Sequence, residues 1–172
     1  MTNKSINTIL NRVSCKSYSD KKVSPKKVQL VAECGKNSPT AMNRQIANIT
    51  VINSKRNVEK LRKLALSVAN RDCFYNASTM LLVHAPKEDR FCIQDCSCVL
   101  ENMFIAATAL NLGSCWINQV DDLFNTTEGA KLKKKFNIPE NHMVVGTCVL
   151  GYPSDGYTPK AKERKEDFIK YI

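Results

Sequence analysis

Glycine is scarce in this chain, with six in 172 residues. None falls in a G-x-G-x-x-G or G-x-x-x-x-G-K-[ST] run, so the backbone cradles of Rossmann and P-loop nucleotide sites are missing. A phosphate bound here must be held by charged side chains instead. Histidine is scarcer still. His84 and His142 stand alone, no Cys/His grouping has zinc-finger spacing, and no metal site is expected. Each histidine reads as a structural or surface residue. A C-x-x-C pair is also absent. Cys15, Cys34, Cys73, Cys92, Cys96, Cys98, Cys115 and Cys148 show no paired spacing. The opening "MTNKSINTIL" lacks the apolar run and cleavage site of a secretory signal. Reduced thiols in a cytoplasmic protein, packed mostly as small hydrophobes, are therefore expected. No apolar run suits a bilayer: the most apolar stretch, residues 96–113, carries Glu101 and Asn102 and is short, so no membrane partner is expected. No helix-turn-helix, RRM or zinc-finger signature supports a nucleic-acid partner.

What is present describes a folded domain. Hydrophobic residues make up 43% and charged residues 24%, the balance of a globular chain. The length suits a single domain over residues 1–172. Lys and Arg number 26 against 16 Asp and Glu, a net charge of +10 that favours an anionic partner. Two cationic groups lie at opposite ends. Arg12 and Lys16 flank Ser14 in "RVSCKSYSD", and Lys160, Lys162 and Arg164 stand in the tail. Each is either a solvated charge patch or part of an anion site, for which an Arg fork and a Lys point charge suit phosphate.

The order of elements is readable. Residues 5–13 form a short helix. Residues 24–36 form another, with Ser24 as N-cap and Pro25 in the first turn. Residues 48–52 are a strand, and 57–72 an amphipathic helix. Residues 78–85 are a β-rich run. Residues 96–113 form a helix apolar on nearly all sides, with Gly113 as its left-handed cap. Residues 114–117 are a short strand, 127–138 an exposed helix with a solvated "KLKKK" face, and 143–152 a strand. Helices are expected at both ends. The class is mixed α and β, with one sheet between helical layers. Asp95 reads as a helix cap and Trp116 as core packing.

Four stretches in order alter the weight given to the cationic groups: "RVSCKSY", "NSPTAMNRQ", "DCSCVLENMFIAATALNLGSCWI" and "GYPSDGYTPKAKERKEDF". Together they resemble the nitroreductase family of FMN-dependent oxidoreductases, over nearly the whole chain. The resemblance implies an α+β three-layer sandwich, a mainly antiparallel sheet flanked by helices. It implies a homodimer with FMN at the interface. Arg12, Lys162 and Arg164 are then expected at the FMN phosphate, with Val13 in the same strip. Ser14 is expected along the ribityl chain or phosphate, and Lys16 at N1/O2 of the ring. Asn70 reads the pyrimidine edge. Pro39, Thr40, Ala41 and Asn43 come from the partner subunit. Trp116 and Ile117 lead the backbone at Asn118 and Gln119 towards N5, where hydride passes. No side chain is expected as acid, base or nucleophile.

The resemblance implies hydride transfer from NADH or NADPH through FMN to a nitroaromatic, quinone or similar small aromatic acceptor. A flavin-binding protein with little turnover, in storage or sensing, is the alternative. The chain departs from the family pattern at Val13, at Ile46-Ala47, at Asn118-Gln119, and at Cys73, where many members keep a cation.

Overall fold

The computed structural model describes residues 3–172; Met1 and Thr2 of the expected domain lie outside the described residues. Helix α1 spans Lys4–Asn11 and is capped by Asn3, whose side chain accepts from the Ile6 amide at 2.9 Å. Helix α2 spans Pro25–Lys36, with Pro25 in the first turn and Ser24 as its N-cap. Strand β1 is Asn48–Ile52, α3 is Lys55–Ala69 and β2 is Thr79–Pro86. Helix α4 runs Cys92–Ala109 and β3 is Gly113–Ile117. Helices α5, Val120–Phe124, and α6, Thr127–Lys135, precede β4, His142–Gly151.

The strands form one sheet in the order β1-β2-β4-β3, every ladder antiparallel. β2 and β4 sit in the middle with both faces covered, which is why their sequences are largely apolar. Met80 and Leu82 point to one face, where Leu61, Phe74, Leu123 and Val149 pack. Leu81 and Val83 point to the other, against Val31, Leu100, Met103 and Leu150. Each such fully buried leucine contributes about 1.5–3 kcal/mol. The result is the expected three-layer α+β sandwich. α3 and α5 cover one face, and α2 and α4 the other.

Four expectations are corrected. Gly113 is no left-handed cap. Asn111 takes that conformation, at φ 54°, and Gly113 opens β3. Glycine is needed at 113 for space, because a Cβ there would meet the Cys15 Sγ at 2.7 Å. α4 is not buried on nearly all sides, as its apolar sequence suggests, since Ile93, Cys98 and Glu101 are exposed along it. The chain does not end in a helix; beyond β4 the tail holds only a 3₁₀ turn, Glu166–Phe168. The "KLKKK" face is not simply solvated. Lys133 Nζ donates to the carbonyls of Glu140 at 3.0 Å and His142 at 2.6 Å, and Lys135 donates to the Asn57 side chain at 2.7 Å.

The two histidines do not stand alone. Sheet pairing brings His84 Nδ1 within 2.8 Å of His142 Nδ1, and Thr50 Oγ1 lies 2.9 Å from His84 Nε2. One Nδ1 must donate and the other accept, so the contact tolerates a single proton. Burial first, then His142 and Lys133, pull the His84 pKa from 6.5 down to about 4. Burial and Lys133 lower His142 as well. The unfolded chain therefore binds more protons than the fold between these values. Stability is expected to be full above pH 6.5 and to fall as pH drops towards 4. Urea melts at stepped pH check this. His84→Gln flattens that limb, and an unchanged slope in the variant counts against the pair.

Candidate functional site

The strip from Arg12 to Ser19 leaves α1 and lies along the edge of the sheet. Ser14 makes a parallel bridge to Ser114, and the Cys15 amide donates to the Ser114 carbonyl at 2.8 Å. Tyr18 is buried, and its hydroxyl donates to the Cys15 carbonyl at 2.8 Å. With Cys15 and Tyr18 turned inward, Ser14 and Lys16 are left exposed. Alternation along the extended backbone separates buried Cys15 from exposed Ser14 and Lys16, and the strip turns before Tyr18, which is buried three residues on. Arg12 and Val13 are half-buried. The Arg12 guanidinium reaches Glu101 of α4 only loosely, at 3.8 Å. Among the described residues, Lys16 has no acidic partner. Cys115 on β3 feels the charge of both cations. Burial raises that thiol, and the charges of Lys16 and Arg12 oppose the rise. The Oγ of Ser114 on the same strand is buried and has no hydrogen-bond partner.

The tail joins this strip. The Lys16 amide donates to the Tyr157 hydroxyl at 3.1 Å, and the Ser17 and Ser154 hydroxyls lie 2.5 Å apart. Pro159, Val13 and Gly113 help line a cleft of about 150 Å³. Lys162 and Arg164 lie beyond these contacts and are exposed. Within one chain the structure does not bring them into contact with Arg12.

A second cleft, of about 320 Å³, opens at the far end of β3. Trp116, Ile117, Asn118 and Gln119 form one wall, with Arg71 and Cys73 opposite. Asn70 ends α3 in the left-handed conformation, at φ 53°, and is exposed beside them. Asp72 holds the loop after Asn70 by accepting from the amides of Phe74 and Asn76 and from Arg62 Nε, at 2.9–3.1 Å. The Trp116 indole lies across Gly146 of β4, with its ring 6.0 Å from that of Phe104. That is core packing, as the sequence suggested, and its Nε1 is buried without a partner. Cys73 is buried, and burial pushes its thiol up to about 11. The cation at this rim is Arg71, which donates to the Gln119 side chain at 3.0 Å. Sequence reasoning missed it, because 48 residues separate the pair.

The Pro39–Asn43 loop stands elsewhere. Asp95 is not the cap of α4; Phe91 occupies that position. Asp95 lies in the first turn, is buried, and accepts from the Ala41 amide at 3.0 Å. The Gln45 amide donates to Thr40 Oγ1 at 3.2 Å. Met42, Asn43 and Gln45 all adopt positive φ, near 52°, a costly backbone state for side-chain-bearing residues. The loop is therefore held in one shape, with Asn43 exposed and Thr40 and Ala41 half-buried. Asp95 and Glu101 are six positions apart on α4, about 9 Å of rise and on different sides of the helix. The loop and Arg12 thus meet different parts of α4 and do not touch within one chain.

The comparisons agree with this arrangement. Residues 9–152 match the model of the Nitroreductase family. A protein of Archaeoglobus fulgidus, named as an NADH dehydrogenase/NAD(P)H nitroreductase, is 31% identical over 86% of this chain and 84% of its own. A Bacteroides fragilis nitroreductase crystallised with bound FMN superposes with a TM-score of 0.93 at 28% identity, over 99% of this chain and 100% of that one. A Desulfitobacterium hafniense nitroreductase with bound FMN has a TM-score of 0.88 over the full length of both chains. At 22% identity, that second likeness speaks for the fold alone. Motif order, sandwich topology and the family match over residues 9–152 agree: the chain belongs to the nitroreductase family.

Proposed function

We propose that this chain, as a single domain, is an FMN-dependent oxidoreductase. It passes reducing equivalents from NADH or NADPH to a nitroaromatic, quinone or related flat acceptor. The observation that carries the reading is the Arg12–Lys16 strip. Inward-facing Cys15 and Tyr18 fix it to β3, while a half-buried guanidinium and an unpaired ammonium remain for an anion. The donor chemistry suits FMN: cations for its phosphate, the Ser14 hydroxyl beside them, and the buried, unpartnered Ser114 Oγ on the adjoining strand. FMN is the cofactor, and when bound it supplies the two-electron chemistry that no side chain here offers.

The protein's own residues bind and orient. Arg12 neutralises phosphate charge, with Lys162 and Arg164 of the tail. Lys16 stabilises negative charge at the pyrimidine edge, beside Asn70. Arg71 fixes Gln119 at the rim of the 320 Å³ cleft, so the backbone from Trp116 to Gln119 keeps its course.

The rest of the site comes from a second copy. Pro39, Thr40, Ala41 and Asn43 lie in a loop braced by Asp95 that Arg12 of the same chain does not touch. Exposed Ile6, Ile9 and Leu10 on α1, Ile93 on α4, and Phe168, Ile169 and Tyr171 in the tail offer apolar surface for that contact. Among the described residues no helix is long and apolar enough to cross a membrane, and all eight cysteines are free. Both suit the reducing cytoplasm.

Light scattering with flavin quantitation tests the assembly. A dimer carrying one FMN per chain is the expected result. A monomer that retains its FMN overturns the shared site.

A further inference from the structure

Asp95 lies on the buried side of α4, between Cys92 and Val99, and is itself 4% exposed. One carboxyl oxygen accepts from the Ala41 amide at 3.0 Å. The other, Oδ2, is shut off from water and has no hydrogen-bond partner among the described residues. An acid buried with part of its bonding unmet costs the fold, and an apolar side chain beside these neighbours would cost less. Fold stability therefore does not account for Asp95. The polar group that its side chain serves is the Ala41 amide.

That amide belongs to a segment that needs holding. Met42, Asn43 and Gln45 all carry side chains at positive φ. The Asn43 amide donates to the Thr40 carbonyl and the Arg44 amide to the Ala41 carbonyl, both at 3.1 Å. The Gln45 amide donates to Thr40 Oγ1 at 3.2 Å. These bonds close the segment on itself and do not fix it to the rest of the protein. Two acids do so, both from the stretch that opens α4. Asp95 takes the Ala41 amide, and Asp89 pairs with the Arg44 guanidinium. The Arg44 side chain is 43% exposed, so water and salt compete for its pair. Asp95 is closed to solvent, and nothing competes for the Ala41 amide.

Arg12 of the same chain meets α4 elsewhere, at Glu101. The segment that Asp95 shapes is thus separate from its own chain's cationic strip.

We propose that Asp95 is a positioning residue that acts across the dimer. Through the Ala41 amide it fixes Thr40, Ala41 and Asn43 in the shape that meets FMN held on the second copy's Arg12–Lys16 strip. The proposal rests on the shared flavin site.

Mixed dimers test it. Two differently tagged chains are co-expressed, one with Arg12→Ala and the other with Asp95→Ala. The heterodimer is isolated through both tags and titrated with FMN. Each variant homodimer is expected to bind FMN about tenfold more weakly than the parent, or worse. The heterodimer combines one doubly altered site with one unaltered site, so it should bind one FMN per dimer with the parent's affinity. If Asp95 acts within its own chain, both sites are damaged and no such site appears, which overturns the proposal. Asp95→Asn keeps an acceptor for the Ala41 amide and should recover most of the affinity that Asp95→Ala loses. An Asp95→Asn homodimer as weak as Asp95→Ala counts against the proposal, as does an Asp95→Ala homodimer with the parent's flavin affinity. Should Asp95→Ala not fold, Ala41→Pro removes the same bond from the loop side in the same mixed dimer. Thr40, at ψ 150°, accepts a following proline. A parent that holds FMN as a monomer overturns the shared site itself. A dimeric parent with one FMN per chain confines any failure to Asp95.

Discussion

Arg12→Ala is expected to weaken FMN binding by about ten- to a hundredfold and to leave the fold nearly as stable. The reasoning starts from what the guanidinium holds in the protein itself. Its acidic neighbour, Glu101, is 3.8 Å away and half exposed. An ion pair of that kind is worth about 0–1 kcal/mol, so removing it costs the fold little. A charge-assisted contact to phosphate is worth roughly 1.5–3 kcal/mol, which sets the loss of affinity. Lys16→Ala should fail differently. Among the described residues its ammonium has no acidic partner, and its influence grows as the flavin gains negative charge. Oxidised FMN should bind only modestly worse, while the bound flavin becomes harder to reduce. A flavin titration and a redox titration on each variant separate the two roles. If Arg12 and Lys16 form only a solvated patch, both variants stay within about 0.5 kcal/mol of the parent.

Gly113→Val should cost about 3 kcal/mol and should take flavin affinity with it. The Cβ that any larger residue adds at 113 would meet Cys15 Sγ at 2.7 Å, Cys15 Cβ at 2.8 Å and the Tyr18 ring at 3.1 Å. These are the two side chains that anchor the Arg12–Ser19 strip to β3. The strip must lift or the sheet edge must shift, and Arg12 and Lys16 move with it. Gly156 provides the contrast. It has φ of 75° and nothing within 4 Å of an added Cβ. Gly156→Ala therefore pays only the left-handed backbone penalty, about 1–2 kcal/mol. Urea midpoints and flavin titrations on both variants check the pair. A Gly113→Val protein that unfolds with the parent and keeps its FMN would show that the strip is not held as described.

The sequence revealed what depends on near neighbours. The Ser24-Pro25 start of α2 is written in adjacent residues. The periodic Val58, Leu61, Leu64 and Ala65 mark the buried side of α3, and the β-rich run of residues 78–85 marks β2. α5 escaped notice because five residues carry no helical period. Gly113 reads as a cap because a glycine after a helix is usually one, and only the approach of Cys15, from the other end of the chain, shows why it is needed.

The same distance hid parts of the site. Asp95 reads as a cap because capping is local, but the amide it holds is 54 residues away. The His84–His142 pair, 58 residues apart, exists only because β2 and β4 share a register. Most candidate residues lie in the four ordered motifs, with Asn70, Asn118 and Gln119 outside them, and the structure supplies the separations between them. Arg12, Ser14 and Lys16 lie along β3, Asn70 lies beside the cleft formed by Trp116 to Gln119, and the Pro39–Asn43 loop is apart from both.

The claim that this is a flavin oxidoreductase is tested most directly by one half-reaction. The protein, loaded with FMN and free of oxygen, is mixed with NADH or with NADPH in a stopped-flow instrument. The flavin absorbance near its visible maximum is then followed. The account predicts complete bleaching by at least one nicotinamide, with recovery of the yellow form when a quinone or nitroaromatic is added. Flavin that stays oxidised with both nicotinamides contradicts it and leaves a flavin-binding protein without turnover.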